Sequence, residues 1–376
     1  MKKGTIAFGI LVFALLVGSI FAIYSGSDEM RRGDGKSQKV RVLAHGNTAD
    51  LLEKGCRDRG LELRTARALE CPPNTDFSGS DVSEDVEAFA MDLTADRQVK
   101  ADLVWSNYTG NGSLVAVLDT GTNYNHVELS SSYAGGRDFV NNDMDPFDDN
   151  GHGTHVAGII TADGVVANAK GVAPGASILS GKVLNSQGSG SFSGIIAAMY
   201  WAADNPEVDV ISMSIGTSKT FKNSNCDSYI PDMTTAVNYA VSKGKVVVAA
   251  AGNSRSGVSN PGCISGVVAV GAVDSTDKIA SFSGRGFSMK DHGVVAPGVS
   301  LYSTWLGSGY ATASGTSMAT PMVAGTIALM KQKNPGLTVA QVKGILYTTS
   351  KDLGASGYDT TYGHGRIDAS AAVGAS

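Results

Sequence analysis

Ser113-Leu114-Val115-Ala116-Val117-Leu118 carries no charge and no alternation of polar with apolar residues, and Asp119-Thr120-Gly121 ends it. A strand with one wet face would alternate, so an unbroken apolar run predicts a strand covered on both sides. Runs of the same kind lie at 208–213, 245–251 and 266–273, and helical stretches lie among them at 152–161, 192–204, 232–243 and 317–333. Strands alternating with helices predict an α/β fold, a parallel β-sheet flanked by helices on both faces. Sites in such sheets lie outside the carboxyl ends of the strands, which is where Asp119 closes the first run.

This pattern holds over residues 97–376. Before it, residues 38–95 predict a small α+β unit with strands at 40–45, 61–69 and 86–93, a helix at 48–59 and a loop at 71–84. The unit has few large apolar residues and would be marginal alone. Lys2 and Lys3 precede an apolar run at 5–24, so residues 1–25 read as a signal peptide or a retained N-terminal membrane anchor, with Ala22 and Ser25 as candidate cleavage positions. The remainder is then expected to be extracellular or at the outer face of the cytoplasmic membrane, joined through a polar linker at 25–37. A net charge of −5 leaves no basic footprint for nucleic acid. Two disulfides are expected, one in the region of Cys56 and Cys71 and one in the region of Cys226 and Cys263, in keeping with export. No pair has Cys-x-x-Cys metal spacing.

Chemistry enters with Gly315-Thr316-Ser317-Met318-Ala319-Thr320-Pro321, which opens the last helical stretch. Ser317 at a helix start lies among backbone N–H groups without intrahelical partners, a setting that favours an oxyanion. The plain alternative is a helix cap. Pro321 reads as a first-turn proline that removes no needed hydrogen bond. A nucleophilic serine needs a base and a carboxylate to orient that base. Of six histidines, His152 sits at a glycine-flanked helix start in Gly151-His152-Gly153-Thr154-His155, where its ring can project into a cleft. His155, one turn on, reads as a packed histidine, since the zinc pattern His-Glu-x-x-His is not met. His126 and His292 fall in predicted loops and read as solvated or capping. Asp119 is the candidate carboxylate, although an Asp opening a tight turn is common. Asn253, after the run ending in Ala251-Gly252, is placed to donate its side-chain N–H to an oxyanion.

The set Val117-Leu118-Asp119-Thr120-Gly121, Gly151-His152-Gly153-Thr154-His155-Val156-Ala157-Gly158, Ala250-Ala251-Gly252-Asn253 and Gly315-to-Pro321 resembles the subtilisin-like serine proteases, from about residue 98 to the C-terminus. Both the Asp, His, Ser order and the asparagine donor are known from subtilisin itself. The resemblance implies a serine endopeptidase with Ser317 as nucleophile, His152 as base then acid, Asp119 orienting it and Asn253 as oxyanion donor. It further implies that an extended polypeptide substrate lies between Gly188-Ser189-Gly190 and Ser214-Ile215-Gly216, with Phe192 and Ile195 lining the pocket for the fourth residue before the cut and residues 250–252 walling the primary pocket.

By the same resemblance, residues 38–95 are a pro-domain that assists folding, inhibits the cleft intramolecularly and is removed by self-cleavage near 90–100. A monomer is expected, with no catalytic cofactor. Calcium enters as a structural ion. The family's tight calcium site aligns with Glu128, but Val165 replaces an oxygen-bearing residue in the partner loop at 163–169, and Asp143, Asp145, Asp148 and Asp149 offer another hard-cation cluster. The loop at 218–231 is longer and that at 254–259 shorter than in bacterial subtilisins. Two other classes compete: a silent peptide-binding protein, which sits badly with all four chemical residues present, and an esterase with Gly-x-Ser-x-Gly, which Ala319 and the position of His152 oppose.

Overall fold

A computed structural model describes residues 40–44, 47–58, 67–78, 80, 82–84 and 94–376. The expected signal or anchor, the linker, the strand at 86–93 and the first part of the cleavage window lie outside these residues. No helix among the described residues is long and apolar enough to cross a membrane. The chain divides into two units, residues 1–90 and 91–376.

In the first unit β1 (Val40–Ala44), α1 (Ala49–Glu53), β2 (Arg57–Asp58), β3 (Arg67–Cys71) and β4 (Val82–Glu84) form an antiparallel sheet of order β2-β3-β1-β4 with one short helix. The helix expected over 48–59 stops far earlier, because Gly55 turns the chain at φ +90° and residues 57–58 pair with β3. β4 falls where a loop was expected. Ala44, Leu51, Cys56, Leu69 and Cys71 make the small core, joined by the Cys56–Cys71 disulfide.

The second unit opens with α2 (Thr94–Gln98). β5 (Leu114–Asp119), β6 (Tyr133–Asp138), α3 (His152–Thr161), β7 (Ser177–Lys182), α4 (Phe192–Asp204) and β8 (Val208–Met213) follow. Then come β9 (Thr220–Phe221), α5 (Pro231–Ser242), β10 (Val246–Ala250), β11 (Val258–Ser259), β12 (Val268–Val273), α6 (Phe287–His292) and β13 (Gly293–Pro297). β14 (Leu301–Thr304), β15 (Tyr310–Ala313), α7 (Thr316–Lys333), α8 (Val339–Thr349) and α9 (Ala369–Ala375) complete it. Seven parallel strands form one sheet of order β13-β12-β10-β8-β5-β7-β6.

The unbroken apolar run of β5 now has its explanation. Val115 and Val117 pack into the layer of α3 and α7, while Leu114, Ala116 and Leu118 pack into the layer of α4 and α5. Successive side chains of a strand point to opposite faces, so covering both faces requires every position to be apolar. Full burial of a Val or Leu contributes about 1.5–3 kcal/mol, so one such strand anchors both layers. β6, β7 and β13 were not expected. β6 reads Tyr-Ala-Gly-Gly-Arg-Asp because it is an edge strand, and β7 ends in a buried lysine. Cys226–Cys263 is the second disulfide and ties the 218–231 loop to the segment after β11.

Candidate active site

β5 ends at Asp119, which has no solvent exposure. Its Oδ1 lies 2.6 Å from His152 Nδ1 and also accepts from the Thr120 N–H at 2.8 Å. A carboxylate only accepts, so the imidazole carries its proton on Nδ1 and leaves Nε2 free to take another. Burial alone would push the ring down, but the charge and hydrogen bond of Asp119, with the charge of Asp148 behind, outweigh it and hold His152 above the ordinary imidazole range.

The sequence fixes the place of His152 through the turn before α3. Asp148, fully buried, accepts from the N–H groups of Asn150 and Gly151 on one oxygen and from the N–H and hydroxyl of Thr154 on the other. Gly153 presses on the Asp119 turn, where a Cβ would come 2.1 Å from the Gly121 carbonyl oxygen. Helix and strand end therefore meet closely enough for the ring to reach the carboxylate. Asp149 pairs with buried Lys182 at 2.6 Å. Asp148 and Asp149 are thus a helix anchor and an ion-pair partner, not the cation ligands that their clustering suggested.

Ser317 is the second residue of α7. Pro321 is the sixth, beyond the first turn, so it does remove a helical bond: the one that would reach the Ser317 carbonyl. Ser214 compensates by donating its hydroxyl to that carbonyl at 2.8 Å, and Ser317 Oγ donates in return to the Ser214 carbonyl at 3.1 Å. The serine hydroxyl therefore bonds to Ser214 and not to His152 in this structure. The two pairs are nevertheless neighbours by register. Val117 pairs with Ser212 across parallel β5 and β8, Asp119 closes β5, and Ser214 follows the end of β8, so the two residues stand at the carboxyl ends of adjacent strands. Asp119 holds His152 and Ser214 holds Ser317, so both functional side chains converge on the carboxyl ends of adjacent strands.

β10 is the next strand, and Asn253 follows it, exposed. Its Oδ1 accepts from both the N–H and the hydroxyl of Thr316 at 3.0 Å, which fixes the amide with Nδ2 toward Gly315. Gly188, Ser189 and Gly190 follow β7, and Ser214, Ile215 and Gly216 follow β8, so the two segments flank the end of β5 in the order β8-β5-β7. Ser189, Gly190 and Gly216 are exposed, Phe192 is half-buried and Ile195 is buried. Ser259 of β11 was not singled out by sequence. It packs between Gly252 and Gly216, its hydroxyl 2.3 Å from where a Cβ on Gly252 would stand and its Cβ 2.9 Å from one on Gly216.

Three further histidines are structural. His155 donates Nε2–H to the carbonyls of Leu301 and Ala311, and burial with the charge of His152 pushes it down to about 4. His126 and His292 are buried and bond to the carbonyls of Gly309 and Gly262, correcting the solvated reading; His292 also ends α6.

The surroundings of Glu128 do not fit a calcium ion. Glu128, fully buried, accepts from the N–H groups of Gly164, Val165 and Val166 and from the Tyr310 hydroxyl, so its neighbours are donors where a cation needs oxygens. Asp143 accepts from Asp145 N–H, and Asp145 from Phe147 N–H and the Tyr124 hydroxyl. Among the described residues no three His, Cys, Asp or Glu side chains converge as a metal site.

A buried carboxylate on an imidazole, beside a hydroxyl at the start of a buried helix, is the arrangement of a serine hydrolase, here on a parallel α/β sheet. Residues 110–365 match the subtilase family profile. Subtilisin DY of Bacillus licheniformis is 43% identical over 285 residues, covering 73% of this chain and 96% of that protein. A thermophilic serine proteinase of Bacillus sp. (strain AK1) is 42% identical over 277 residues, 72% of this chain and 64% of its own length. The crystal structure of a cold adapted subtilisin-like serine proteinase matches with TM-score 0.61 at 37% identity, covering 70% of this chain and 90% of that one. The chain belongs to the subtilase family of serine endopeptidases.

Proposed function

We propose that the protein hydrolyses peptide bonds through an acyl-enzyme on Ser317. The observation that carries this reading is the 2.6 Å Asp119–His152 bond at the end of β5, with the Ser214–Ser317 pair at the end of the adjacent strand β8. For reaction the Ser317 hydroxyl turns from the Ser214 carbonyl to His152 Nε2, which takes its proton as Oγ attacks the scissile carbonyl. Asp119 steadies the imidazolium. The Asn253 Nδ2–H and the Ser317 backbone N–H stabilise the oxyanion, and His152 then protonates the departing amine. Water, deprotonated by His152, attacks the ester carbonyl and returns the serine with release of the acid.

The substrate is an extended polypeptide held by the backbone of 188–190 and 214–216, with Phe192 and Ile195 at the fourth residue before the cut; main-chain pairing of this kind accepts many sequences. Residues 1–25 direct export, and the protein acts extracellularly as a monomer after removing its own pro-domain, residues 38–95, which until then inhibits it. No cofactor enters the reaction, and the hydrogen bonds at Glu128 hold the 164–166 turn without calcium. Ser317→Ala tests the core of this reading. Turnover of a peptide substrate should fall about 10⁶-fold, the size known for subtilisin itself, with folding intact. Unchanged turnover would end it.

A further inference from the structure

Beyond Asn253 the chain enters a surface cleft of about 380 Å³, lined by Lys222, Asn223, Arg255, Ser256, Arg285 and Thr360 among others. Its walls come from four segments tied by three backbone bonds, Gly257 N–H to the Arg285 carbonyl, Phe287 N–H to that of Lys222 and Gly286 N–H to that of Thr360, and by one side-chain bond, the Thr220 hydroxyl to the Ser256 carbonyl. The cleft is therefore preformed, and its size suits one or two side chains.

Three cations face this cleft in a chain of net charge −5. Among the described residues none of Lys222, Arg255 and Arg285 has a carboxylate partner; Lys222 and Arg255 are exposed and Arg285 is half-buried. Arg285 Nε is buried with no hydrogen-bond partner, and the side chain's one bond is a long 3.4 Å contact to the Ala280 carbonyl. Two carboxylates adjoining the cleft segments in sequence or by hydrogen bond are already committed. Asp359 accepts from the N–H groups of Ala355, Thr361 and Tyr362, and Asp291 bonds Asn225 and His292. Unpaired guanidinium forks with hydroxyl neighbours recognise carboxylates.

We propose that this cleft binds acidic side chains of the polypeptide substrate, a specificity site outside the scissile region. The inference rests on the endopeptidase reading. Its place follows from connectivity: Arg255 lies two residues beyond Asn253, and Gly284 N–H bonds the Gly252 carbonyl, so the cleft shares a backbone ladder with the oxyanion side of the active site. A peptide crossing that site can reach it with residues a few positions from the cut. A free polyvalent anion shares the same chemistry and must be distinguished.

The test compares paired fluorogenic peptides identical around the cut, with Glu-Glu or Gln-Gln placed three to six residues away on either side. With the mature enzyme at low salt, one Glu-Glu placement should show kcat/KM about five- to tenfold higher than its Gln-Gln partner, falling to parity near 0.5 M NaCl. The exposed-residue variant Lys222→Gln/Arg255→Gln should lose that preference while cleaving the Gln-Gln peptide within twofold of wild type and melting at the same temperature. Inorganic phosphate should raise KM for the Glu-Glu peptide alone. Equal rates on both peptides in wild type, or a preference that survives the double variant, would overturn the proposal. Phosphate binding without any peptide preference would overturn it too, assigning the cleft to free anions. Failure to cut either peptide would instead count against the endopeptidase reading.

Discussion

Asp119, at the end of β5, and Glu128, in the turn that follows, are two carboxylates with no solvent exposure, and they are used in opposite ways. Glu128 accepts four hydrogen bonds, three from consecutive backbone N–H groups, and thereby fixes the 164–166 turn. Asp119 gives Oδ1 to one backbone N–H and one titratable ring, while Oδ2 is buried with no partner. A carboxylate whose lone pairs are all engaged by fixed dipoles holds structure. One left short of donors directs its charge at the imidazole, and that charge is what raises His152.

The largest break in this comparison comes from Asp119→Asn. The variant should fold but lose about 10⁴-fold in kcat, because the amide can leave His152 in the wrong tautomer. Its pH profile carries the sign. Activity needs a neutral His152, and the carboxylate holds the ring above 6.5, so the acid limb of kcat/KM in wild type should lie above pH 6.5. With the charge gone burial dominates, and the limb should move below that value. The same pair stabilises the fold fully below pH 6.5 and loses that contribution as pH rises through the folded value.

Glu128→Ala should behave in the reverse manner. Three N–H groups and a hydroxyl lose their buried acceptor, at a cost of about 3–5 kcal/mol, visible in urea melts run in the Ser317→Ala background to prevent autolysis. The folded fraction of the single variant should keep its kcat. The smallest effect is the sharpest for the calcium question: a chelator should move the melting temperature by less than about 1 °C, since the 164–166 turn is held by protein donors. A large drop would show that a cation does what Glu128 is assigned here.

Much of this was legible before any coordinates. β5, β8, β10 and β12 announce themselves because both faces are covered, and Asp119, His152, Asn253 and Ser317 each stand at an element end where the pattern breaks. What was hidden depends on long-range partners. The Ser214–Ser317 exchange has a local cause in Pro321, four residues after Ser317, but which hydroxyl compensates is decided by how α7 packs on the end of β8. Glu128 is held by backbone N–H groups, which no sequence pattern displays. Edge strand β6 and lysine-ended β7 escaped because their polar residues find partners only once the sheet is assembled. In the first unit β2 and β4 span two and three residues, too few for periodicity to speak.

One measurement tests the central claim most directly: mass spectrometry of the purified active protein after a serine-directed fluorophosphonate, read out peptide by peptide. The account predicts one adduct per molecule, on Ser317, forming in step with loss of peptidase activity and far more slowly in Asp119→Asn. An adduct on another serine that tracks the loss, or full inactivation with Ser317 unmodified, would contradict it.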